Sequence, residues 1–154
     1  MTESQGTHCG YVALVGAPNA GKSTLMNRII GAKVSIVTPK VQTTRARVVG
    51  ILVRDAAQIV FIDTPGIFAP KRRLERAMVA AAWSGAADAD VIAVLVDAKA
   101  GVREDPKAII DGLKRAGRKA VLVLNKIDLV PREALLLLTE ELNETGIFTD
   151  IFMV

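Results

Sequence analysis

The sequence has few aromatic residues, a single cysteine and no long apolar run, and each shortage narrows what the chain can be. Aromatic residues make up 4% of its 154 residues although 51% are hydrophobic, so we expect an aliphatic core. The lone Cys9 cannot form an internal disulfide, which agrees with a reducing compartment. The longest apolar stretches, such as Val91–Val96, are far shorter than the ~20 residues of a membrane-spanning helix. The polar segment Met1–Gly10 lacks the hydrophobic region of a secretion signal.

The net charge of the chain does not indicate a particular function. Its net charge of +4 is modest. This excess favours anionic ligands in general, but a solvated basic surface explains it equally well. The informative signals are therefore patterns and motifs.

Short β-branched runs alternate with helical patterns, which is typical of βαβ units and a mainly parallel sheet. The predicted strands are Tyr11–Val15, Val48–Arg54, Gln58–Ile62, Val91–Val96, Ala120–Leu124 and Asp150–Val154; the predicted helices are Lys22–Ile30, Leu74–Trp83, Glu104–Ala116 and a last one from Pro131 to about Asn143. Only the turn at Asp55–Ala57 separates the second strand from the third, so these two strands must form a hairpin. The pattern predicts an α/β three-layer sandwich with one antiparallel strand.

The clearest motif is Gly16–Ser23, whose letters GAPNAGKS match G-x-x-x-x-G-K-[ST]. It lies between a predicted strand and a predicted helix, which is the setting of a phosphate-binding loop. Glycines let the backbone wrap around phosphate oxygens, while amides and the helix dipole supply positive potential. We expect Lys22 to reach the β- and γ-phosphates and the Ser23 hydroxyl to ligate Mg2+. The predicted nucleotide contacts of this loop are Asn19, Ala20, Gly21, Lys22, Ser23 and Thr24.

A second motif, Asn125–Asp128 (NKID), follows the predicted strand that ends at Leu124. It therefore lies at the carboxyl edge of the sheet, where open α/β sheets bind ligands. The Asp128 carboxylate only accepts hydrogen bonds, which suits the two donors at N1 and N2 of guanine but not the acceptor at N1 of adenine. We expect Asn125 to brace neighbouring loops and the Lys126 stem to pack on the purine face. Alone this motif is weak, because Asn and Asp are common in turns, but together with the phosphate loop it indicates GTP and GDP.

A third motif, Asp63–Gly66 (DTPG), comes directly after another predicted strand. In isolation it is better explained as an ordinary turn, because Asp, Pro and Gly are common turn formers. Its position between the other two motifs favours a functional interpretation. We expect Asp63 to hold Mg2+ through water and the Gly66 amide to sense the γ-phosphate.

The three motifs in this order resemble the GTPase superfamily, and their details are similar to its Era branch. The segments that carry the resemblance are Gly16–Asn27, Gln42–Arg45, Asp63–Ile67 and Asn125–Leu129. The resemblance covers nearly the whole chain. It implies an Era-type G domain over residues 1–154, with the P-loop NTPase fold, that hydrolyses GTP to GDP and phosphate. Der-like and TrmE-like GTPases, which act on different RNAs, share much of the pattern and stay open as an alternative.

The resemblance also implies which residues act on the γ-phosphate. A threonine of the first switch segment coordinates Mg2+ in this superfamily, and we assign that role to Thr44, with Thr43 as the alternative. Ras-like enzymes orient the attacking water with a glutamine where this sequence has Ile67. The Era branch shares an aliphatic residue there and is similar to potassium-assisted GTPases, with Asn19 as the candidate K+ ligand. The predicted Mg2+ ligands are Ser23, Thr44 and Asp63, and the predicted catalytic residues are Lys22, Asn19, Thr44 and Gly66.

Two interpretations from other functional classes stay open at this point. Ile67 is compatible with a nucleotide-gated binding module that does not hydrolyse GTP. A P-loop ATPase would require the match at Asn125–Asp128 to be coincidental.

The family pattern continues beyond the last predicted strand. It adds a loop that contacts the guanine, a closing helix and an RNA-binding KH domain. We therefore expect the G domain to be incomplete at its C-terminus and the sheet to be interrupted at its last strand. The resemblance implies a role in maturation of the small ribosomal subunit, with 16S rRNA bound mainly through the KH domain. It implies a cytoplasmic protein, with or without peripheral association at the inner membrane and without a transmembrane segment.

Overall fold

A computed structural model describes residues 6–32, 48–67 and 73–154. Strands and helices alternate along these ranges as the sequence predicts. The strands are β1 His8–Gly16, β2 Val48–Arg54, β3 Ala57–Asp63, β4 Val91–Asp97, β5 Ala120–Asn125 and β6 Phe148–Met153; the helices are α1 Lys22–Ile30, α2 Arg73–Ala87, α3 Glu104–Arg115 and α4 Arg132–Asn143, with a 3-10 turn at Ile127–Leu129. Thr43 and Thr44 lie outside the described residues, and so does the whole Gln42–Arg45 segment.

The strands form one six-stranded sheet in the order β2-β3-β1-β4-β5-β6. The hairpin pair β2–β3 is antiparallel, and every other neighbouring pair is parallel. The hairpin turns at Asp55 and Ala56, and Asp55 takes a left-handed φ of 52°. The predicted mainly parallel sheet with one antiparallel strand is therefore confirmed.

Both faces of the central strands are covered by helices, which gives three layers. On β1, Ala13 and Val15 face one apolar cluster, which includes residues of α2, α3 and α4. The alternate residue Leu14 faces the other cluster, which includes Met26 of α1. Burial on both faces explains why these strands read as continuous aliphatic runs. Among the described residues, Phe61 is the one buried aromatic side chain, so the core is aliphatic as predicted.

Glycines set the ends of α1, while another glycine lets α2 pack closely against a neighbouring segment. The left-handed Gly21 (φ 101°) precedes α1 and the left-handed Gly31 (φ 78°) follows it, so the predicted bounds of this helix are confirmed. In contrast, α2 continues past its predicted end at Trp83 to Ala87. Gly85 lies inside this extension, where a Cβ atom would come within 3.1 Å of Thr64 Cγ2. The glycine thus allows α2 to pack closely against the segment that follows β3. Over the part of the chain that the structure describes, no helix is both long and apolar enough to cross a bilayer.

Candidate functional site

The segment between β1 and α1 is held in a shape that only glycine permits at several points. A Cβ atom on Gly16 would lie 2.7 Å from the Leu95 carbonyl oxygen of β4. A Cβ atom on the left-handed Gly21 would collide with the side-chain amide of Asn125. That amide donates a hydrogen bond of 2.9 Å to the Ala20 carbonyl. Asn125 therefore braces the loop, as the sequence predicts.

The side chain of Lys22 lies inside this loop and is 6% exposed. Its Nζ donates to the carbonyl oxygens of Gly16 at 3.2 Å and Ala17 at 3.0 Å. Burial lowers the pKa of Lys22 to about 8, although the nearby Asp63 carboxylate acts in the opposite direction. An ammonium group held by loop carbonyls is well placed to exchange them for phosphate oxygens, which bind a cation more strongly.

Two buried oxygen groups meet at the start of α1. The Ser23 hydroxyl donates to Asp63 Oδ2 at 2.6 Å, and the two residues are 8% and 0% exposed. A hydroxyl beside a carboxylate is a hard-oxygen donor set, and Mg2+ binds to such sites through one or two protein oxygens together with substrate phosphates. The donor set therefore fits Mg2+. Thr24, the next residue, has an exposed side chain.

The segment after β3 is fixed against both β1 and the loop. The Thr64 hydroxyl donates to the Leu14 carbonyl at 2.7 Å, and Thr64 is 1% exposed. The Ile67 amide donates to the Gly16 carbonyl at 3.0 Å, while the Ile67 side chain is buried in the aliphatic core at 3% exposure. A Cβ atom on Gly66 would lie 2.9 Å from the backbone nitrogen of Pro18. The structure thus places Gly66 directly against the phosphate loop.

The Asn125–Asp128 motif begins at the carboxyl end of β5 and continues into the 3-10 turn. Lys126 has a left-handed backbone with φ 61°, and its amide donates to Asn125 Oδ1 at 2.9 Å. Its Nζ donates to the Asn19 carbonyl at 2.9 Å, so the motif contacts the phosphate loop a second time. The Asp128 side chain is exposed. A carboxylate at this edge remains accessible to a purine.

One further charged residue belongs to this constellation, and the sequence reasoning missed it. Asp97 ends β4 and pairs in register with Asn125. Its Oδ2 accepts a hydrogen bond of 2.7 Å from Lys126 Nζ. The available signal was a carboxylate directly after the apolar run Val91–Val96. Sequence alone did not show that this strand lies beside β5.

The structure brings most of the predicted nucleotide-binding residues to one edge of the sheet. The residues linked there by the contacts described above are Asn19, Ala20, Gly21, Lys22, Ser23, Asp63, Gly66, Asn125 and Lys126. Asp128 follows at the same edge, and the predicted Mg2+ ligand Thr44 lies outside the described residues. The geometry thus assembles a loop, a carboxylate–hydroxyl pair and a base motif; the individual roles stay predictions.

Comparison with known proteins agrees with this arrangement. Residues 11–126 match the family described as 50S ribosome-binding GTPase. GTPase Era of Mesorhizobium japonicum is 59% identical over 152 residues, which cover 99% of this chain and 49% of that protein. GTPase Era of Afipia carboxidovorans is 58% identical, with 100% and 51% covered. The chain thus spans about half the length of the curated relatives it matches.

A solved structure has the same fold. The crystal structure of Era in complex with MgGDPNP and nucleotides 1506–1542 of 16S ribosomal RNA superposes with a TM-score of 0.89 at 41% identity. The match covers 96% of this chain and 51% of that one. The fold is therefore the α/β P-loop GTPase fold that the motifs predict.

Proposed function

The chain belongs to the 50S ribosome-binding GTPase family and matches the GTPase region of Era, and on that premise we propose that it binds GTP and hydrolyses it to GDP and phosphate. The observation that carries this proposal is the pair of contacts between base motif and phosphate loop. Asn125 reaches the Ala20 carbonyl and Lys126 reaches the Asn19 carbonyl. A base and a phosphate chain bound at this edge would belong to one ligand, a guanine nucleotide.

We propose that the exposed Asp128 carboxylate selects guanine, because it can accept from both N1 and N2 of that base. Asp128→Asn replaces one acceptor by a donor. The variant should bind GTP more weakly and should accept xanthosine triphosphate, whose C2 carbonyl can receive the new hydrogen bond. Titration with both nucleotides measures this, with Asp111→Asn, an exposed carboxylate on α3, as the control. Equal GTP affinity in wild type and Asp128→Asn would contradict the assignment.

The phosphate end of the nucleotide would lie in the loop beside Lys22. Lys22 would give up its two carbonyl partners for the β- and γ-phosphate oxygens. Ser23, Asp63 and Thr44 are the residues we propose to hold Mg2+, which when bound neutralises charge on the phosphates. The Gly66 amide, fixed against Pro18, would donate to the γ-phosphate.

Hydrolysis needs an oriented water and positive charge near the bond that breaks, and the Ile67 side chain has no polar atom to orient the water. Its side chain is buried in the core. We propose that K+ supplies this charge, with the exposed Asn19 side chain on the loop as its protein ligand. Multiple-turnover phosphate release should be faster in potassium than in sodium at matched ionic strength, and Asn19→Ala should abolish the difference. A wild type that binds GTP without any turnover would instead support a nucleotide-gated binding module.

For the whole protein we propose a role in maturation of the small ribosomal subunit, with its 16S rRNA as partner. Support comes from the solved Era structure, which contains nucleotides 1506–1542 of 16S rRNA. This chain matches 51% of the Era chain in that structure. We propose a cytoplasmic location, where a ribosomal partner would be met, with peripheral contact to the inner membrane as an addition. Crosslinking of the complete protein to 16S rRNA in cells would test this partner.

A further inference from the structure

The two oxygens of the Asp97 carboxylate have different partners, and this division suggests a role for the residue. Oδ1 accepts the backbone amides of Lys99 at 2.9 Å and Ala100 at 3.1 Å, which fixes the turn after β4. Oδ2 accepts Lys126 Nζ at 2.7 Å. The turn therefore holds the carboxylate in place, and the carboxylate in turn holds the lysine.

The partner ammonium group makes a second fixed contact. Lys126 Nζ also donates to the Asn19 carbonyl at 2.9 Å. The result is a chain of contacts from the β4 end through the base motif to the phosphate loop. Asn19 and Lys126 both have left-handed backbones, with φ of 63° and 61°, a conformation that non-glycine residues seldom adopt. The contact between Lys126 Nζ and the Asn19 carbonyl joins these two residues directly.

The Asp97–Lys126 ion pair is partly buried and is charged at neutral pH. The side chains of Lys126 and Asp97 are 34% and 22% exposed. Burial by itself would raise the pKa of Asp97, but the hydrogen bonds from Lys126 and from the two backbone amides lower it below its usual value. The carboxylate is thus ionised at neutral pH.

We propose that Asp97 is a positioning residue for guanine binding. It holds the Lys126 stem beside the place where the face of a purine would lie, and it couples this stem to the phosphate loop at Asn19. This inference rests on the proposed function, because it assigns Asp97 to the same nucleotide site. Asp97 touches neither base nor phosphate in this scheme. It acts through Lys126, and removing its charge leaves the lysine free to leave the base.

The test substitutes Asp97→Asn and measures GDP affinity with a fluorescent GDP analogue. Asparagine keeps an oxygen for the amides of Lys99 and Ala100 but offers Lys126 no charge. We expect the Kd for GDP to rise about ten-fold, the loss expected for a hydrogen bond between charged groups. The KM for GTP should rise in parallel while kcat at saturating GTP changes little, because the reacting phosphates are not contacted. Asp97→Glu, which retains the charge, should recover part of the affinity.

Asp90→Asn is the matched control. Asp90 precedes β4 at the opposite edge of the sheet and also accepts a backbone amide, that of Tyr11 at 2.8 Å. The substitution removes the same charge from the residue immediately before β4, far from the site. GDP affinity in this variant should equal that of the wild type.

A double-mutant cycle with Lys126→Met decides whether Asp97 acts through the lysine. In the Lys126→Met background, Asp97→Asn should have no further effect on GDP affinity. A full ten-fold loss in that background, or no loss in the wild-type background, would overturn the inference while leaving the proposed function intact. A wild-type protein that binds no GDP would instead overturn the proposed function, and this inference with it.

Discussion

Lys22 is the residue whose chemistry should respond most directly to pH. Burial lowers its pKa to about 8, so the amine loses its proton as the pH rises through that value. Phosphate oxygens beside the amine would favour the charged form. Nucleotide binding above pH 8 therefore takes up a proton, and affinity must fall as the pH rises. The same shift implies that the free protein gains stability between pH 8 and 10.5, where the unfolded chain retains the proton that the folded chain has lost.

We predict that the Kd for GDP is about ten-fold higher at pH 9 than at pH 7, since about a tenth of the lysines with this pKa are charged at pH 9. Calorimetric titration across this range measures both the affinity and the proton uptake. Lys22→Arg is the control, because arginine stays charged and its profile reports only titration of the nucleotide. If wild type and Lys22→Arg show the same pH profile, the lowered pKa of Lys22 is not coupled to binding.

At the level of secondary-structure elements, Thr64 contacts three different elements of the fold. It follows β3, donates to the Leu14 carbonyl of β1 and lies against Gly85 of α2. Thr64→Val keeps the shape of the side chain but leaves that buried carbonyl without its hydrogen bond. We expect the free energy of unfolding to fall by about 1–3 kcal/mol, measured by urea denaturation.

Thr139→Val provides the comparison for this prediction. Thr139 donates to the Leu135 carbonyl at the same distance of 2.7 Å, but both residues lie in α4, where helical hydrogen bonds already use the carbonyls. Its substitution should change stability by less than about 0.5 kcal/mol. Equal losses for the two variants would show that Thr64 has no special role in joining the elements.

The elements themselves were largely predictable from the sequence, and the differences have physical reasons. The bounds of α1 were predicted correctly because left-handed glycines stand on both sides of it. β1 begins at His8 instead of Tyr11, because pairing of His8 with Ala57 of β3 extends the strand regardless of side-chain polarity. The end of α2 was predicted too early: the helix continues to Ala87, and Gly85 in this last part lies close to Thr64.

The site was predictable only in part. Sequence motifs identified Lys22, Ser23, Asp63 and the Asn125–Asp128 segment, because each motif carries its own chemistry. The Asp97–Lys126 ion pair was not found, since it depends on which strands are neighbours in the sheet. Spacing along the chain contains no such information.

For the molecule as a whole, one sheet supports both apolar clusters and also carries the nucleotide edge. Leu95 and Val96 of β4 point to opposite clusters, so the two halves of the core share the same central strands. A ligand at the edge of these strands should therefore stabilise the entire domain. GDP with Mg2+ at 100 times its Kd adds about 2.7 kcal/mol of stability, which corresponds to a rise in Tm of roughly 5–10 °C.

Thermal unfolding followed by tryptophan fluorescence measures this shift, because Trp83 is the single tryptophan and packs against the core. ATP at the same concentration is the control and should leave the Tm unchanged. A Tm that responds equally to ATP and GDP would contradict guanine selectivity, and one that responds to neither would contradict nucleotide binding.

The position of Cys9 makes the protein convenient to tether. It is the sole cysteine of the sequence, its thiol is exposed, and it lies near the start of β1, whereas the phosphate loop begins where β1 ends at Gly16. Seven residue steps along a strand separate the two positions by about 23 Å. A maleimide dye or a surface linker attached there would face away from the nucleotide edge. Single molecules could thus be immobilised in one orientation, with the nucleotide edge open to the solution and no engineered cysteine needed.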